Sequence, residues 1–389
     1  MGNTLLTPKI IAREALVRLK GNLGIANEVY RDYSNEFQKV GDTVTVRKPA
    51  VFVADEFGGT INLQDIGEGS IPVKMDTHLD VSVSVSSKEM TLSIKDFGSQ
   101  VLDGATLAIA EGVNTKVAKV ASQQIPACVG TAGTTPNSLK TGFTNPMMRM
   151  DINKVPRSLR RLFFDPVANA ELLNLDALVG LDKSGSTAAL REASMGNVMS
   201  FSTYMDQAIV THAAGDYTSL ADVTVTAVAH DADDYNVSLL TLTSAAGLAT
   251  TTLKAGDLFE VDGKQYVVIA DSATAAAGVV SSVKVHPRFH VDAVGDLGDD
   301  SVTFTDVTAR AHVSNLAFHE KAIALVTRPL EVPLGKNETN AYTAVEPNTG
   351  LSVRVVMDYD INTKKSVVSL DALYGVKVVY PQLGCQVLG

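Results

Sequence analysis

Residues 79–126, LDVSVSVSSKEMTLSIKDFGSQVLDGATLAIAEGVNTKVAKVASQQIP, carry two periodicities in succession. Leu79, Val81, Val83 and Val85 alternate with Asp80, Ser82, Ser84 and Ser86, the two-residue period of a strand with one buried face. After Ser86-Ser87-Lys88 the apolar residues shift to even positions, Met90, Leu92 and Ile94, so a bulge or short turn must absorb one extra residue. The chain is expected to bend there. A helix follows, with Leu102, Ala105, Ile109, Val113, Val117, Val120 and Ala121 at steps of three and four and Asp103, Glu111, Asn114, Lys116 and Lys119 mostly off that stripe. Asp96 or Ser99 can cap its start, and Pro126, which has no backbone donor, ends it. Over about 99–125 the helix is roughly 25 residues and about 40 Å long. It carries no catalytic residue, so it reads as a brace for something extended.

Toward the N-terminus, Ile10, Ile11, Ala15, Leu16 and Leu19 recur helically among Lys9, Arg13, Glu14, Arg18 and Lys20, and Gly21 ends the run. Gly41-Asp42 turns into the β-branched strand Thr43–Lys48, closed by Pro49. From Ala54 to Asp76 the chain is punctuated by Gly58, Gly59, Gly67 and Gly69 and holds few large apolar residues, so it is expected to project as a long two-stranded loop. Beyond the helix, Gly130 to Asn145 is a connector. Arg160–Phe164 is a short strand stopped by Asp165-Pro166, with a helix over Val167 to Leu175 after it and a compact α/β stretch from Met195 to Phe201. Between about Leu220 and Arg310 short strands and glycine turns replace helical periods. The clearest unit, Gly256–Ile269, is a hairpin around Asp262-Gly263, and a small barrel is the simplest closure. The main pattern resumes at Asn315 and runs through strands at 351–359 and 375–380, so the β stretch interrupts a domain and does not append one.

The chain has 389 residues, 45% of them hydrophobic and 20% charged, which allows two or three domains with ample cores. A net charge of −10 argues against a general nucleic-acid binder, though it is compatible with a container whose wall repels what it stores. No stretch reaches the roughly 18–20 apolar residues of a membrane span, and Met1–Lys20 has no signal-peptide core, so cytoplasmic synthesis is the default expectation. Cys128 and Cys385 are too few and too far apart for a disulfide framework or zinc cluster and read as two buried, reduced thiols. Of the seven histidines only His286 and His290 have helical metal-ligand spacing, and Pro287 together with the Val283, Val285 alternation makes that segment a strand. Nucleophile elbow, phosphate loop, dinucleotide fingerprint and zincin helix are all missing. Asp231, Asp233 and Asp234, and again Asp296, Asp299 and Asp300, are the densest acidic groups, read as solvated loops before calcium sites. Arg157, Arg160 and Arg161 have the chemistry to touch phosphate, but ion pairing at a subunit boundary or on a solvated face is the plainer reading. Asn236-Val237-Ser238 and Asn337-Glu338-Thr339 match the glycosylation pattern by chance.

In order, an arm helix, the strand Gly41–Pro49, a projecting loop, a strand, a long helix, an α/β domain, a β insertion and return strands resemble a tailed-bacteriophage major capsid protein. Val155–Pro166, Arg191–Phe201 and the ending Leu351–Leu383, with Tyr374-Gly375-Val376-Lys377-Val378, carry the likeness most strongly. The resemblance implies an α+β fold of the Hong Kong 97 type, closest to short-tailed phage coat proteins with a β-barrel insertion. It divides the chain into an N-terminal arm (1–50), an extended loop (51–80) and a peripheral domain with the spine helix (81–154). An axial domain (155–219), the inserted barrel (220–310) and a return to both main domains (311–389) complete it. It implies no enzyme activity, no cofactor and no metal, but self-assembly into pentamers and hexamers around double-stranded DNA bound without sequence specificity. A portal protein and a separate scaffolding protein are implied partners, since the residues before the loop are too few for a fused scaffolding domain. No membrane is involved; the virion is the destination and the host cytoplasm the place of assembly. Asp231, Asp233 and Asp234 best match the family's intercapsomer loop, and Ser86, Ser87 and Lys88 form the candidate loop hinge. An encapsulin-like cargo shell and a β-rich adhesion protein are the alternatives; zero tryptophan and 6% aromatic residues count against sugar stacking in the second.

Overall fold

The alternation at 77–86 becomes a ten-residue strand, Thr77–Ser86, paired antiparallel with residues 365–374. The structure, a computed structural model, describes residues 8–31, 43–48, 69–86, 103–180, 188–215, 223–243, 252–261, 263–275, 278–289, 301–302, 311–333, 340–346, 351–363 and 365–389. The 14-residue strand Lys365–Val378 is the axis of a five-stranded sheet. Besides 77–86, it pairs with Ser352–Asp360 through residues 365–371 and with Ile323–Arg328 through residues 373–378, and Ala341–Val345 extends the sheet beyond 352–360. Leu79 and Val81 turn inward while Asp80 and Ser82 stay exposed, as a half-buried strand requires.

The spine helix spans Asp103–Gln124, 22 residues and about 33 Å. Ala105, Ile109, Val113, Val117 and Ala121 are buried in one core with the five-stranded sheet and the arm helix Pro8–Asn22. The parity shift at Met90–Ile94, the hinge residues Ser87 and Lys88, and the caps Asp96 and Ser99 lie outside the described residues. One residue read as off the buried stripe is on it. Asn114 is 6% exposed, and its Oδ1 accepts the backbone N–H groups of Gly24 (3.2 Å) and Ala26 (3.3 Å). The arm is thereby built into the core. Ile11, Ala15, Leu19, Ile25 and Val29 join the spine's cluster, Tyr30 exchanges backbone bonds with Ile323 and Leu325 at 3.0 Å, and Arg18 pairs with Asp103.

Thr43–Lys48 pairs antiparallel with Gly69–Lys74 as a two-stranded ribbon. The expected projection of 54–76 fails over its last part: Ile71, Val73 and Met75 are buried with Val46 against Ala324, Val326 and Val379. Their alternation supplies an apolar face that glycine punctuation hides. The fit is close enough that a Cβ on Gly375 would lie 2.3 Å from the Lys74 carbonyl oxygen. Residues 51–68 lie outside the described set.

A seven-stranded mixed sheet runs in the order 128–130, 384–388, 312–319, 160–164, 201–205, 197–198, with 211–212 also on 312–319. Phe143, Leu162, Phe164, Phe201 and Val387 form its core. Asp165 stops its strand by capping the helix Pro166–Leu173, accepting N–H bonds from Val167 (3.1 Å) and Ala168 (3.3 Å). The interrupting segment forms a separate six-stranded sheet in the order 258–261, 264–268, 279–286, 238–243, 223–230, 301–302, every pairing antiparallel. It has its own core, with Val225, Leu240, Phe259, Val268 and Val283 at its centre. Val261 faces Lys264 across the two-residue loop expected at Asp262-Gly263, and Gly263 takes the positive φ of +71° that such a turn needs.

Candidate functional site: the junction at the end of the spine helix

The last carbonyls of a helix have no partner within it and must find donors elsewhere. At the spine's C-terminus those donors come from the seven-stranded and the inserted sheets, and the five-stranded sheet reaches the same turn through a side chain. Gln386, fully buried on the closing strand, donates from Nε2 to the carbonyls of Ser122 (2.8 Å) and Ile125 (2.6 Å). His286 of the inserted sheet donates from Nδ1 to the Gln124 carbonyl (3.2 Å), and Gln123 Nε2 reaches the Ala255 carbonyl at 3.4 Å. The Gln124 Oε1 accepts the Val378 N–H of the five-stranded sheet at 3.0 Å. One helical turn thus carries the contacts between three sheets. Just past it, the Cys128 N–H donates to Gln265 Oε1 at 3.0 Å, a second tie to the inserted hairpin.

The inserted sheet is attached by a stem. The strand entering it, Thr211–His212, pairs with the start of the strand leaving it, His312↔His212 and Val313↔Thr211. The His212 and His312 rings stand 5.1 Å apart at 63°. His212 Nε2 meets Asp257 Oδ1 at 2.9 Å, and that carboxylate, 1% exposed, also accepts the N–H groups of Gly215 (3.2 Å) and Lys254 (2.8 Å). Gly256 makes the approach feasible: its φ is +108°, and a Cβ there would lie 2.8 Å from His212 Nδ1. Sequence reading singled out neither His212 nor Asp257. They are 45 positions apart, so no linear spacing joins them.

The predicted site residues are mostly committed within the chain. Asp234 is buried and ion-paired with Lys377 on the axial strand, and its neighbour Asn236 donates from Nδ2 to the Val379 carbonyl at 2.9 Å. Asp231 accepts from Lys284 Nζ (3.4 Å) and from the Asp233 N–H (3.0 Å); the Asp233 backbone bond and then the Lys284 contact hold its carboxyl below the usual range. Only Asp233 of the three is exposed. Asp234 is thus spent inside the subunit, while Asp231 is partly exposed and Asp233 exposed. Arg157 is exposed and pairs with Asp151 at 2.7 Å, whereas the other two arginines are internal. Arg160 is fully buried, bonded to Asp151 (2.7 Å) and to the carbonyls of Val155 (2.5 Å) and Pro156 (2.9 Å), and Arg161 pairs with Glu28 of the arm. His286 lies on a strand as expected, whereas His290, Asp296, Asp299 and Asp300 lie outside the described residues. Both thiols are buried, and burial pushes that of Cys385 far up. Among the described residues no three His, Cys, Asp or Glu side chains are grouped to hold a metal, and no helix is long and apolar enough to cross a membrane.

Residues 290–389 match the family model described as P22 coat protein, gene protein 5. Among curated proteins no sequence match was found. In fold the chain is similar to a structure from Mycobacterium phage Che8 at a TM-score of 0.55 and 12% identity, covering 94% of this chain and 90% of that one. Weaker likenesses are to the capsid of cyanophage P-SCSP1u (TM-score 0.48, 11% identity, 89% and 83% covered) and the mature capsid of bacteriophage PhiM1 (0.45, 12%, 89% and 81%). The coat-protein match spans the stem strand 312–319, the axial strand 365–378 and the closing strand 384–388. Over residues 290–389 the sequence is thus similar to a phage coat protein, and along nearly the whole chain the fold is similar to that of a phage structure.

Proposed function

We propose that this chain builds an icosahedral head by self-assembly into pentamers and hexamers around double-stranded DNA, on the Hong Kong 97-type plan. The observation that carries the proposal is where the coat-protein match falls: residues 290–389 supply the axis of one sheet and the closing edge of another, so the matched segment is the frame of the molecule. Identical subunits closing into rings of two sizes need elements that adjust between environments. The glycine-rich loop beyond the packed ribbon 43–48/69–74 is such an element, and Ser86, Ser87 and Lys88 are its hinge: Ser86 is tied opposite Lys365, and the shift of apolar parity follows at once. The arm is 1–50, the loop 51–80, the peripheral domain 81–154, the axial domain 155–219 and the inserted barrel 220–310, with 311–389 returning. Closure of the barrel is supported by its end strands, 258–261 and 301–302, which come within 8 Å of each other. Asp231, Asp233 and Asp234 are the candidates for contact between capsomers, with Asp233 the most exposed of them. A separate scaffolding protein and a portal protein are the partners, DNA is held without sequence specificity, assembly takes place in the host cytoplasm, and the chain performs no catalysis.

Negative-stain microscopy of the purified chain, alone and coexpressed with its scaffolding protein, tests this. Closed shells with scaffold and aberrant shells without it are expected, and persistent monomers in both would end the shell reading. Cargo enzyme in place of DNA would favour the encapsulin-like alternative. A shell structure in which symmetry-independent subunits share one loop angle would remove the hinge.

A further inference from the structure

Pro126, directly beyond the spine helix, is on the wall of a cavity of about 440 Å³ between the inserted sheet and the seven-stranded sheet. Three cations line it from three separate elements: Arg149 on the helix Asn145–Ile152, Lys264 at the 261–264 hairpin and Arg288 after the strand Val279–His286. Among the described residues no carboxylate lines it. Among the described residues none of the three has an ion-pair partner, although the chain as a whole carries ten more acids than bases. Arg288 lies over the Tyr235 ring at 4.7 Å, and the Arg149 Nε is buried without an acceptor among the described residues. Like charges gathered around one space repel, and a buried guanidinium donor without an acceptor is costly; an anion in the cavity relieves both.

We propose that this cavity is a binding site for a phosphate-type oxyanion. One carboxylate would offset one cation, whereas a phosphoryl group brings up to two charges and three acceptor oxygens, enough for the Arg149 fork and the Lys264 point charge together. The volume suits a diphosphate or nucleotide-sized group. Free phosphates and the phosphate backbone of nucleic acid present the same chemistry. The proposal stands apart from the shell reading, since it concerns a cavity within one subunit.

Calorimetric titration of the full chain with pyrophosphate, at constant ionic strength, tests the site, with a short DNA duplex and citrate as parallel arms. Pyrophosphate is expected to bind, and K264Q and R288Q, both exposed positions, are each expected to weaken it roughly tenfold. Circular dichroism checks that the variants keep their fold. Duplex binding that the same substitutions abolish would assign the nucleic-acid backbone as the source; pyrophosphate binding alone would assign free phosphate. The proposal is overturned by an absence of pyrophosphate binding, by binding indifferent to both substitutions, or by citrate binding as tightly as pyrophosphate.

Discussion

Arg160 shows how a single side chain can organise its surroundings. Its guanidinium is fully buried, stands 5.9 Å from the Phe201 ring, and depends for counter-charge on Asp151, whose carboxyl is held below the usual range by bonds from Arg157 and then from Arg160 itself. Removing one member of such a pair leaves the other's charge uncompensated. D151N is therefore expected to cost about 2 kcal/mol, less than a fully buried pair would because Asp151 is partly exposed, as read from urea unfolding. R157Q, at a side chain 69% exposed, should stay within roughly 0.5 kcal/mol. His319, packed nearby, makes stability depend on pH. Burial, then Lys321 and the two arginines, push its pKa below the ordinary 6.5, so the fold prefers the neutral ring. Its contribution is complete above pH 6.5 and is lost as pH falls from there through the lowered folded value, because the unfolded chain takes up the proton first. H319N should flatten that part of the stability curve between pH about 7.5 and about 5.5, measured by denaturant titration at each pH. An asparagine keeps an acceptor for the Lys321 N–H that His319 Nδ1 now takes at 3.2 Å.

The spine helix draws its rigidity from two sources: an apolar stripe along its length and a borrowed set of donors at its terminus. Q386L deletes the amide that serves two of its last carbonyls and is expected to cost about 2–4 kcal/mol, with faster amide exchange over residues 120–125. Strand 77–86, the spine and the hairpin at 261–264 were legible in the sequence because each depends on residues close together: alternation, a 3.6-residue period, and an Asp-Gly turn. Gln386 was not, because its partners lie more than 250 positions away and a lone glutamine on a strand has no local signature. Asn114 was misread for the same reason, since polarity alone places it on the wet face until the arm's N–H groups arrive. The aspartates at 231–234 were visible as a cluster, but Lys377, which pairs Asp234, comes from the far end of the chain. Glycines at 58–69 drew attention away from the Ile71, Val73, Met75 alternation, so a packed strand passed for a projection.

At the scale of the molecule, three sheets are held by one helix end, one docked loop and one stem. The loop contributes Asn236 on Val379 and Asp234 on Lys377, so N236A/K377A should loosen the inserted sheet without touching its core. Scanning calorimetry is expected to show one transition split into two, the inserted sheet melting first; a single unshifted transition would mean the stem and the helix end suffice. The stem has a different meaning. Because entry at His212 and exit at His312 are paired neighbours, about 5 Å apart at their α-carbons, everything between them begins and ends at one point on the frame. A unit closed at its base in this way can be exchanged for any other whose termini meet, the frame then losing the contacts of the docked loop and of the helix end but keeping its chain path at the socket. In the proposed shell, a foreign antigen or enzyme fused there would be repeated at every subunit, which turns the socket into a display position whose spacing is set by the lattice.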